Sequence, residues 1–413
     1  MKEKVGKSQG ADLPIQETNP TKKQKLSESE VIPKLSLSKI DLAEAMKKQN
    51  DVSMFLAGKV ISTLGKNSNL VFSPASINAV LTMAANRPEE ETLRSFILSF
   101  LSSSSTDELN AVFGEICSVV LADGSASGGP KIAAVNGVWI DQSLSVDSSW
   151  KDLLVNLFKA KFDQVDFNTK AELVCTEVNA WASRHTNNLI QDLLPQRSVT
   201  SKTKWIYGNA LYFKGTWENK FDKYLTKHKP FHLVNGESVS VPFMSSHKNQ
   251  YVKAYDDFKV LRLPYQQGRD DADRKFSMYF YLPDKRDGLD NLLKRLTSTH
   301  GFLDLHNPRY KDRVGEFRIP KFKIEFRFEA STIFDDFKRS NVLLYHKSFV
   351  EIDEVGTEAA AATAMKKSTG ACRPIVRKRI DFVADHPFLF LIREDGTGTV
   401  LFVGQIFDPS KSD

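Results

Sequence analysis

The segment Glu354-Val-Gly-Thr-Glu-Ala-Ala-Ala-Ala-Thr-Ala-Met365 decides how the rest of this chain is interpreted. Its composition favours a helix, because Thr357 can serve as an N-cap, Glu358 suits a first turn and alanine has the highest helix propensity. Lys366 and Lys367 would suit the C-terminal end, where cations interact favourably with the helix dipole. The local pattern therefore predicts a helix that starts near Thr357.

The same segment can also be divided between the two faces of a strand, because successive side chains of a strand alternate. Counting by twos places on one face Thr357, Ala359, Ala361, Thr363 and Met365. The other face carries Glu358, Ala360, Ala362, Ala364 and Lys366, so that both charges would point to solvent. Gly356 gives the backbone freedom to turn where the strand would begin.

The bulk composition predicts one large folded domain of the α+β class. The 413 residues are 41% hydrophobic and 26% charged, which is too apolar for a disordered chain. Helical patterns come first and strands dominate later without regular βαβ alternation, which favours largely antiparallel or mixed sheets. A net charge of +6 over this length does not by itself indicate nucleic-acid binding.

Hydrophobic periodicity predicts the main elements. Helices are expected at residues 40–64, from Ser73-Pro74 through Met83, at 106–121 and at 172–194. Strands are expected at 131–140, 205–213, 258–264, 275–282, 316–328, 349–352, 388–392 and 400–407. Gly396-Thr-Gly398 fits a hairpin turn between the last two strands.

Residues 1–38 are expected to form a flexible polar extension, with the domain in residues 39–413. The extension contains Lys22-Lys23-Gln24-Lys25, which is either a short nuclear-import signal or part of a solvated linker. We find no secretory signal and no run of about 18 apolar residues. Three dispersed cysteines do not suggest a disulfide framework: Cys117, Cys175 and Cys372. The sequence predicts an intracellular protein, cytoplasmic and, if the lysines direct import, nuclear.

No motif for catalysis, a metal or a cofactor is present. The chain contains no His-Glu-x-x-His, no Gly-x-Ser-x-Gly elbow, no phosphate-binding glycine loop and no dinucleotide fingerprint. His228 and His232 are four residues apart but lack nearby acidic partners, so they are expected to be surface or hairpin residues. The sequence therefore predicts neither an enzyme nor a cofactor site.

Several motifs together resemble the serpin family, and its plant (Z-type) branch in particular. Glu354-x-Gly356-Thr357-Glu358-Ala359-Ala360-Ala361, roughly fifty residues before the C-terminus, is similar to the proximal hinge of inhibitory serpins. The resemblance extends from about Ile40 to Pro409 through the segments Asn69–Ile77, Asn136–Trp139, Asn209–Trp217, Val260–Tyr265, Asp381–Phe390 and Val400–Gln405.

This resemblance implies a serpin fold, with N-terminal helices around a large central mixed sheet, further sheets and an exposed reactive-centre loop at about residues 357–380. It implies a protease inhibitor that works once. The target protease cuts the loop and becomes acylated, and the freed segment then inserts into the central sheet. The expected partner is thus a protease held in a covalent acyl complex by a monomer, with no membrane, nucleic acid or cofactor involved.

The bond that the protease would cut is placed by counting along the loop. About fourteen residues on from Gly356 lies Gly370-Ala371, whereas counting back from Asp381 gives Ala371-Cys372. We favour Gly370-Ala371 as the reactive bond. Small residues there suggest an elastase-like or cysteine protease, while the flanking lysines and arginines keep basic-specific targets open.

The resemblance also implies positioning residues. A polar network that controls opening of the sheet is expected from Ser73, Ser76, Asn209 and His346, which are otherwise ordinary satisfied polar groups. Glu354 is expected to pair with Lys321 near the point of insertion, in a region capped by Trp217. The hinge itself would comprise Glu354, Gly356, Thr357, Glu358, Ala359, Ala360, Ala361, Ala362 and Thr363.

Two departures from the family pattern concern inhibition more than the fold. Only seventeen residues separate Phe328 from His346, where relatives usually have a longer helix and connector, and Ala84–Glu89 replaces a glycine-rich stretch. Besides an inhibitory serpin, the sequence therefore allows a non-inhibitory serpin that binds or stores, and a nuclear binding protein that uses the basic arm. Basic patches fit either polyanion binding or a solvated face.

Overall fold

The computed structural model describes residues 38–411, apart from residues 89, 270, 272, 335–341 and 358–378. The basic segment Lys22–Lys25 and almost all of the predicted extension therefore lie outside the described residues. The boundary between extension and domain remains a prediction.

The α-helices of the described residues lie mostly in the N-terminal half of the chain. They are α1 (Lys39–Leu64), α2 (Pro74–Ala85), α3 (Glu91–Phe100), α4 (Thr106–Glu115), α5 (Ser148–Asn156), α6 (Phe167–His185), α7 (Leu289–Ser298) and α8 (Phe302–Leu305). The start of α2 is as predicted, because Ser73 Oγ accepts a hydrogen bond from the Ser76 amide at 3.1 Å and Pro74 occupies the first helical position. A π-helical turn at Ile116–Val120 follows α4 directly.

The prediction of a helix at 172–194 is wrong at both ends. α6 begins at Phe167, because the Asp166 carboxylate accepts the Thr169 amide and caps it. The helix ends at His185, and the apolar residues beyond it, such as Ile190 and Leu193, reach the core from non-helical backbone. Their spacing reflects burial and not helical geometry.

The strands are β1 (Leu70–Phe72), β2 (Lys131–Asp141), β3 (Lys161–Val165), β4 (Trp205–Thr216), β5 (Lys227–His232), β6 (Ser238–Met244), β7 (Tyr251–Tyr255), β8 (Phe258–Pro264), β9 (Phe276–Pro283), β10 (Val314–Pro320), β11 (Phe322–Glu329), β12 (Val342–Ile352), β13 (Gly356–Thr357), β14 (Ile380–Val383), β15 (Phe388–Glu394) and β16 (Val400–Ile406). The single strand predicted at 316–328 is two strands, since the chain passes from one sheet to another between Pro320 and Phe322. Thr357 lies in β13, and the helix predicted to follow it falls on residues 358–367, which lie outside the described residues.

Three sheets form the framework of this α+β fold. The central sheet has the order β11-β12-β13-β4-β2-β3, a second has β1-β16-β15-β9-β8-β7, and a third has β14-β10-β6-β5. The core fills the space between the central and second sheets, and a smaller cluster lies where α6 covers the other face of the central sheet. β15 and β16 form the predicted hairpin, and its Gly398 adopts φ +78°.

One segment, Thr106–Ser127, has the length and mean hydropathy (1.2) of a membrane-spanning helix, which the sequence analysis did not anticipate. It is not one helix, because α4 gives way to the π-helical turn and then to a separate 3₁₀ turn at Ser125–Ser127. Leu109, Phe113 and Val120 from this segment are buried in the core. Its apolar character is thus used for packing inside the domain.

Candidate functional site

In the central sheet, the neighbouring strands β4 and β12 are parallel to each other and pair directly over only part of their length. They pair directly from Trp205 and Val342 to Asn209 and His346. At the far end β13 lies between them and is antiparallel to both, with Thr357 opposite Gly215 on β4 and Ile352 on β12. Between these two ends, the described residues 210–214 and 347–351 have no direct pairing with each other. One further strand, continuing β13, would fill this space.

β4 and β12 keep the same register on both sides of the unpaired stretch. Asn209 and His346 are partners whose numbers differ by 137, and Gly215 and Ile352, which share the partner Thr357, also differ by 137. A strand could therefore enter between β4 and β12 if the two strands moved apart sideways, and neither would have to slide along its own axis.

Thr357 points its side chain into the core beneath the sheet. Its Oγ1 lies 2.8 Å from Oη of Tyr265, and Thr357 is 3% exposed. The Tyr265 ring stacks on Trp217, with centroids 4.7 Å apart. Trp217 in turn donates from Nε1 to the Asp353 carbonyl and from its amide to the Val355 carbonyl, both at 2.8 Å. Trp217 thus supports the bend that leads into β13, in the region where the sequence analysis expected a cap.

Glu354 and Lys321 are joined as the resemblance implied, at 2.9 Å between Nζ and Oε2. The other carboxylate oxygen accepts a hydrogen bond from Thr226 Oγ1 at 2.8 Å. Burial would raise the pKa of Glu354, but the hydrogen bonds from Lys321 and Thr226 and the charge of Lys321 outweigh it and lower the pKa. Glu354 itself is buried. The pair thus links the bend before β13 to Lys321, which lies between β10 and β11. The hydrogen bond from Thr226 links the same bend to the residue just before β5.

Gly356 is needed for a reason other than the predicted turn. Its backbone lies in a strand, and a Cβ atom placed on it would lie 2.0 Å from the Gly215 carbonyl oxygen and 2.7 Å from Thr216 Cα. Because both obstacles are backbone atoms of β4, they have no rotamer by which to move aside. A glycine at this position lets β13 approach β4.

The second group of predicted residues lies at the opposite end of the unpaired stretch. The Ser73 amide donates to His346 Nε2 at 2.9 Å, and Ser348 Oγ lies 2.6 Å from the same nitrogen. Because an amide can only donate, this nitrogen carries no proton, and burial lowers the pKa of His346 to about 3. A neutral His346 therefore ties the start of α2 to β12.

Asn209 is opposite His346 in the sheet, but its side chain points to another partner. Its Nδ2 donates to Asn136 Oδ1 on β2 at 2.6 Å, and Asn136 Nδ2 donates to the Phe158 carbonyl at 2.8 Å. Ser76 is linked to Ser73 through its amide only. Of the four predicted network residues, Ser73, Ser76 and His346 are thus linked by hydrogen bonds, whereas Asn209 is bonded to Asn136 instead.

Sequence reasoning missed several residues of this site. Tyr265 and Asn136 were recognised only as parts of motifs, and the signal that could have found them is a polar atom inside an otherwise apolar strand pattern. Thr226 and Ser348 carried no such signal, since serine and threonine are common at exposed positions. The remaining predicted hinge residues and the reactive bond lie outside the described residues: Glu358, Ala359, Ala360, Ala361, Ala362, Thr363, Gly370 and Ala371.

The histidines singled out in the sequence both lie on β5, where His228 is exposed and His232 contacts Ser238. Within the described ranges, no group of three His, Cys, Asp or Glu side chains is arranged to hold a metal ion.

Comparison with known proteins places this architecture in a family. The model of the family described as "Serpin (serine protease inhibitor)" matches residues 47–409. Serpin-Z2 of Arabidopsis thaliana is 65% identical over 395 residues, which cover 94% of this chain and 97% of that protein. A protein named probable non-inhibitory serpin-Z5, from the same plant, is 62% identical over 429 residues and covers 99% and 98% of the two chains.

A solved structure agrees with the fold. Arabidopsis AtSerpin1 in its native stressed conformation superimposes with a TM-score of 0.81 at 48% identity, covering 91% of this chain and all of that one. The three sheets thus belong to a known architecture. The chain is therefore a member of the serpin family of serine protease inhibitors, among the plant Z-type serpins, and is not an enzyme.

Proposed function

We propose that this chain inhibits serine endopeptidases, and cysteine endopeptidases of similar loop preference, as a suicide substrate whose loop inserts into the central sheet. The observation that carries the proposal is the position of β13 between β4 and β12 in a single shared register. β13 is the beginning of the strand that insertion would complete. Main-chain hydrogen bonds along both flanking strands would supply the driving force.

Continuing the register of β13 gives the environment of every inserted residue. Ala359 would lie between Phe213 and Val350, and Ala361 between Leu211 and Ser348. Thr363 would lie between Asn209 and His346, and Met365 between Tyr207 and Leu344. These flanking residues are all buried on the inner face of the sheet. Small, uncharged side chains at these four positions therefore suit insertion.

The test is to mix the full-length protein with serine and cysteine proteases, including elastase-like enzymes, and to look for an adduct that survives boiling in detergent. Mass spectrometry should find a released C-terminal peptide that begins at Ala371 if Gly370-Ala371 is the reactive bond. Clean cleavage without an adduct, by every protease that cuts the loop, would contradict inhibition.

A matched pair of variants tests the insertion step itself. Thr357→Arg would force a charge against Tyr265 in the core and should convert the inhibitor into a substrate. Glu358→Arg changes the neighbouring residue by a larger charge difference, but the register places it on the other face, between Lys214 and Glu351. It should leave adduct formation within a few-fold of the wild type. Equal behaviour of the two variants would argue against insertion in this register.

A non-inhibitory role is the second candidate, and one observation favours it. The same register places Lys367 on the inner face, between Trp205 and Val342, both of which are in the core. Lys366 would lie on the outer face between Ile206 and Leu343, beside the cluster under α6, and not in solvent as its alternation alone suggested. Two lysines in apolar surroundings oppose the last steps of insertion. In this case the protease panel yields cleavage only.

We also propose an intracellular monomer that meets its protease in the cytoplasm, with nuclear import through Lys22, Lys23 and Lys25. The support is the short basic run in a polar segment. A fluorescent fusion should lose nuclear signal when the three lysines are changed to alanine. An unchanged distribution would contradict import by this segment.

A further inference from the structure

A surface groove of about 620 Å³ lies between helices α1 and α7. Its lining residues come from α1 and the turn after it, from α7, and from the end of β16 with Phe407, and not from the central sheet. The volume is within the range of about 300–1,000 Å³ that is typical of small-molecule sites. The groove is thus large enough for a ligand, and it is separate from β4, β12 and β13.

The floor of this groove is apolar and elongated. Phe55, Gly58 and Ile61 follow one face of α1 at helical spacing, and Leu293 lines the groove from α7. Phe55 is a large apolar side chain, yet it is 54% exposed. From Phe55 to the C-cap Gly65 the lined face of α1 extends over about 15 Å, at 1.5 Å per residue. A long, narrow apolar surface suits a linear hydrocarbon chain better than a compact ring.

Contacts at both ends of the groove hold its walls in place. A Cβ atom on Gly58 would lie 2.5 Å from Thr297 Cγ2, so α1 and α7 approach each other closely at this point. At the other end the buried Gln405 donates from Nε2 to the Gly65 carbonyl at 2.5 Å and to the Ser68 carbonyl at 2.8 Å. The shape of the groove is therefore formed before a ligand arrives, which lowers the entropic cost of binding.

The rim of the groove is positively charged. It carries three lysines, Lys59, Lys66 and Lys294, against one carboxylate, Asp290. Among the described residues, no carboxylate lies within ion-pair distance of these lysines. The ammonium of Lys59 lies 5.2 Å from the centroid of the Phe334 ring, so Lys66 and Lys294 are the cations best placed to meet an anion. An apolar floor with unpaired cations at its rim matches a molecule that has one anionic head and one apolar tail.

A neighbouring depression of about 560 Å³ shares Phe55 and Thr297 with the groove but differs in charge. It is lined by one lysine, Lys48, and by one carboxylate, Asp51, which is paired with His300 at 2.6 Å. The excess of cations is thus larger in the groove than in the depression. An anionic head is therefore placed in the groove.

We propose that this groove binds a linear amphipathic acid of the fatty-acid class, with its carboxylate at Lys66 and Lys294 and its acyl chain along the floor toward Phe55. The carboxylate gains charge-assisted contacts with the lysines. Each CH₂ group that leaves water raises the affinity by up to about fourfold, the equivalent of about 0.8 kcal/mol. Binding does not depend on the proposed inhibitory function, because the lining residues lie outside the central sheet.

Dodecanoate is the probe, and two further compounds separate the contributions of head and tail. Dodecyltrimethylammonium has the same chain with the opposite charge, and hexanoate has the same head with a shorter chain. In isothermal titration calorimetry on the full-length protein, with every compound below its critical micelle concentration, dodecanoate should show saturable binding. Hexanoate should bind at least about tenfold more weakly, and dodecyltrimethylammonium should not saturate. No saturable binding of dodecanoate, or equal affinity for the two long-chain compounds, would overturn the proposal.

Substitutions at exposed positions locate the site without disturbing the core. Lys66→Glu replaces an attraction with a repulsion and should weaken dodecanoate binding about threefold to tenfold. Lys202→Glu makes the same change of charge at an exposed residue outside the groove and should leave the affinity unchanged. Phe55→Ser removes part of the floor and should weaken dodecanoate more than hexanoate. Equal affinities in Lys66→Glu and Lys202→Glu would show that the groove is not the site.

Two measurements distinguish other occupants of the groove. In sedimentation without ligand, a dimer that Phe55→Ser dissociates would mean that a second copy covers the apolar floor. Co-sedimentation with vesicles of phosphatidylcholine and phosphatidylserine that Lys66→Glu abolishes, without binding of monomeric dodecanoate, would mean that the groove contacts a lipid surface. Either result would overturn the proposal, whereas a monomer that binds dodecanoate and not the vesicles would support it.

Discussion

The hydroxyl oxygens of Thr357 and Tyr265 lie 2.8 Å apart in a part of the core that excludes solvent from both residues. Thr357 is the last described residue before the loop, and Tyr265 follows strand β8 of the second sheet. One hydrogen bond thus fastens β13, at the edge of the loop, to the core below the central sheet.

Tyr265→Phe should destabilise the seated hinge while it keeps the ring that stacks on Trp217. We expect a loss of about 0.5–1.5 kcal/mol in the free energy of unfolding, measured by denaturant titration, since one buried hydrogen bond is removed. Tyr281→Phe is the matched control, because Tyr281 Oη is buried without a partner among the described residues. Removal of the Tyr281 hydroxyl should leave the free energy of unfolding unchanged or raise it slightly. A similar loss in both variants would mean that the Thr357 bond does not fasten the hinge.

Gly356→Ala should expel β13 from the sheet, because the new methyl group would meet the backbone of β4 at Gly215 and Thr216. We expect faster proteolytic cleavage near residues 354–357 and a loss of about 1–3 kcal/mol in stability, as for other overpacked sites. Gly114→Ala serves as control, since Leu157 Cδ1 at 3.7 Å is the nearest atom to a Cβ there and the site is helical. That variant should be unchanged or more stable.

The ion pair of Glu354 and Lys321 should make the hinge sensitive to acid. Folding lowers the pKa of Glu354, so its contribution to stability is complete above the ordinary glutamate pKa of about 4.3 and is lost as the pH falls through the lower folded value. Glu354→Gln should therefore be less stable than the wild type at pH 7, by about 1–3 kcal/mol, and the difference should shrink below pH 4. Thermal unfolding across this range measures it.

Glu316→Gln provides the comparison for that experiment. Glu316 pairs with Arg318 at 3.0 Å, but 60% of its side chain is exposed. An exposed pair contributes about 0–1 kcal/mol, so its removal should have little effect at any pH. A constant difference between wild type and Glu354→Gln from pH 7 to pH 3 would show that the charge of Glu354 is not what holds the bend.

Local signals predicted those parts of the fold that local chemistry determines. Ser73 followed by Pro74 marks the start of α2, and the apolar runs of β15 and β16 flank a turn that needs Gly398. The edge strand β5 was missed because Lys227 and Lys229 look like loop residues, although charged residues are common on sheet edges. The lysines of β5 fit an edge strand, where charged side chains oppose pairing with other chains, and they therefore hide the strand pattern.

The candidate site was harder to predict, because its partners are distant in sequence. The resemblance proposed Lys321 with Glu354, and they are bonded, but Thr226 completes the pair from a segment without any pattern. Ser76 Oγ and Asn209 Oδ1 are buried without a hydrogen-bond partner among the described residues, and no sequence pattern marks them. Sequence periodicity assigns a face to a residue but does not say which of its polar atoms finds a partner.

Lys367→Ala should increase the fraction of encounters that end in a covalent adduct. In the register of β13, Lys367 would enter the core between Trp205 and Val342, and the guanidinium of Arg87 already lies 3.8 Å from the Trp205 ring centroid. A second cation there is unfavourable, since it loses hydration next to a like charge. Under the proposed function, we therefore expect full insertion to be slower in the wild type than in Lys367→Ala, which would give water more time to release the acylated protease.

The measurement is the ratio of adduct to cleaved inhibitor after complete reaction with a protease that cuts the loop. Lys378→Ala removes the same charge from the same loop, but on the far side of Gly370-Ala371, so that it never enters the sheet and should leave the ratio unchanged. Lys366→Ala, beside the apolar residues Ile206 and Leu343, should raise the ratio as well. If Lys367→Ala and Lys378→Ala give the same ratio, the sheet does not accept residue 367 and insertion ends earlier than the shared register of β4 and β12 implies.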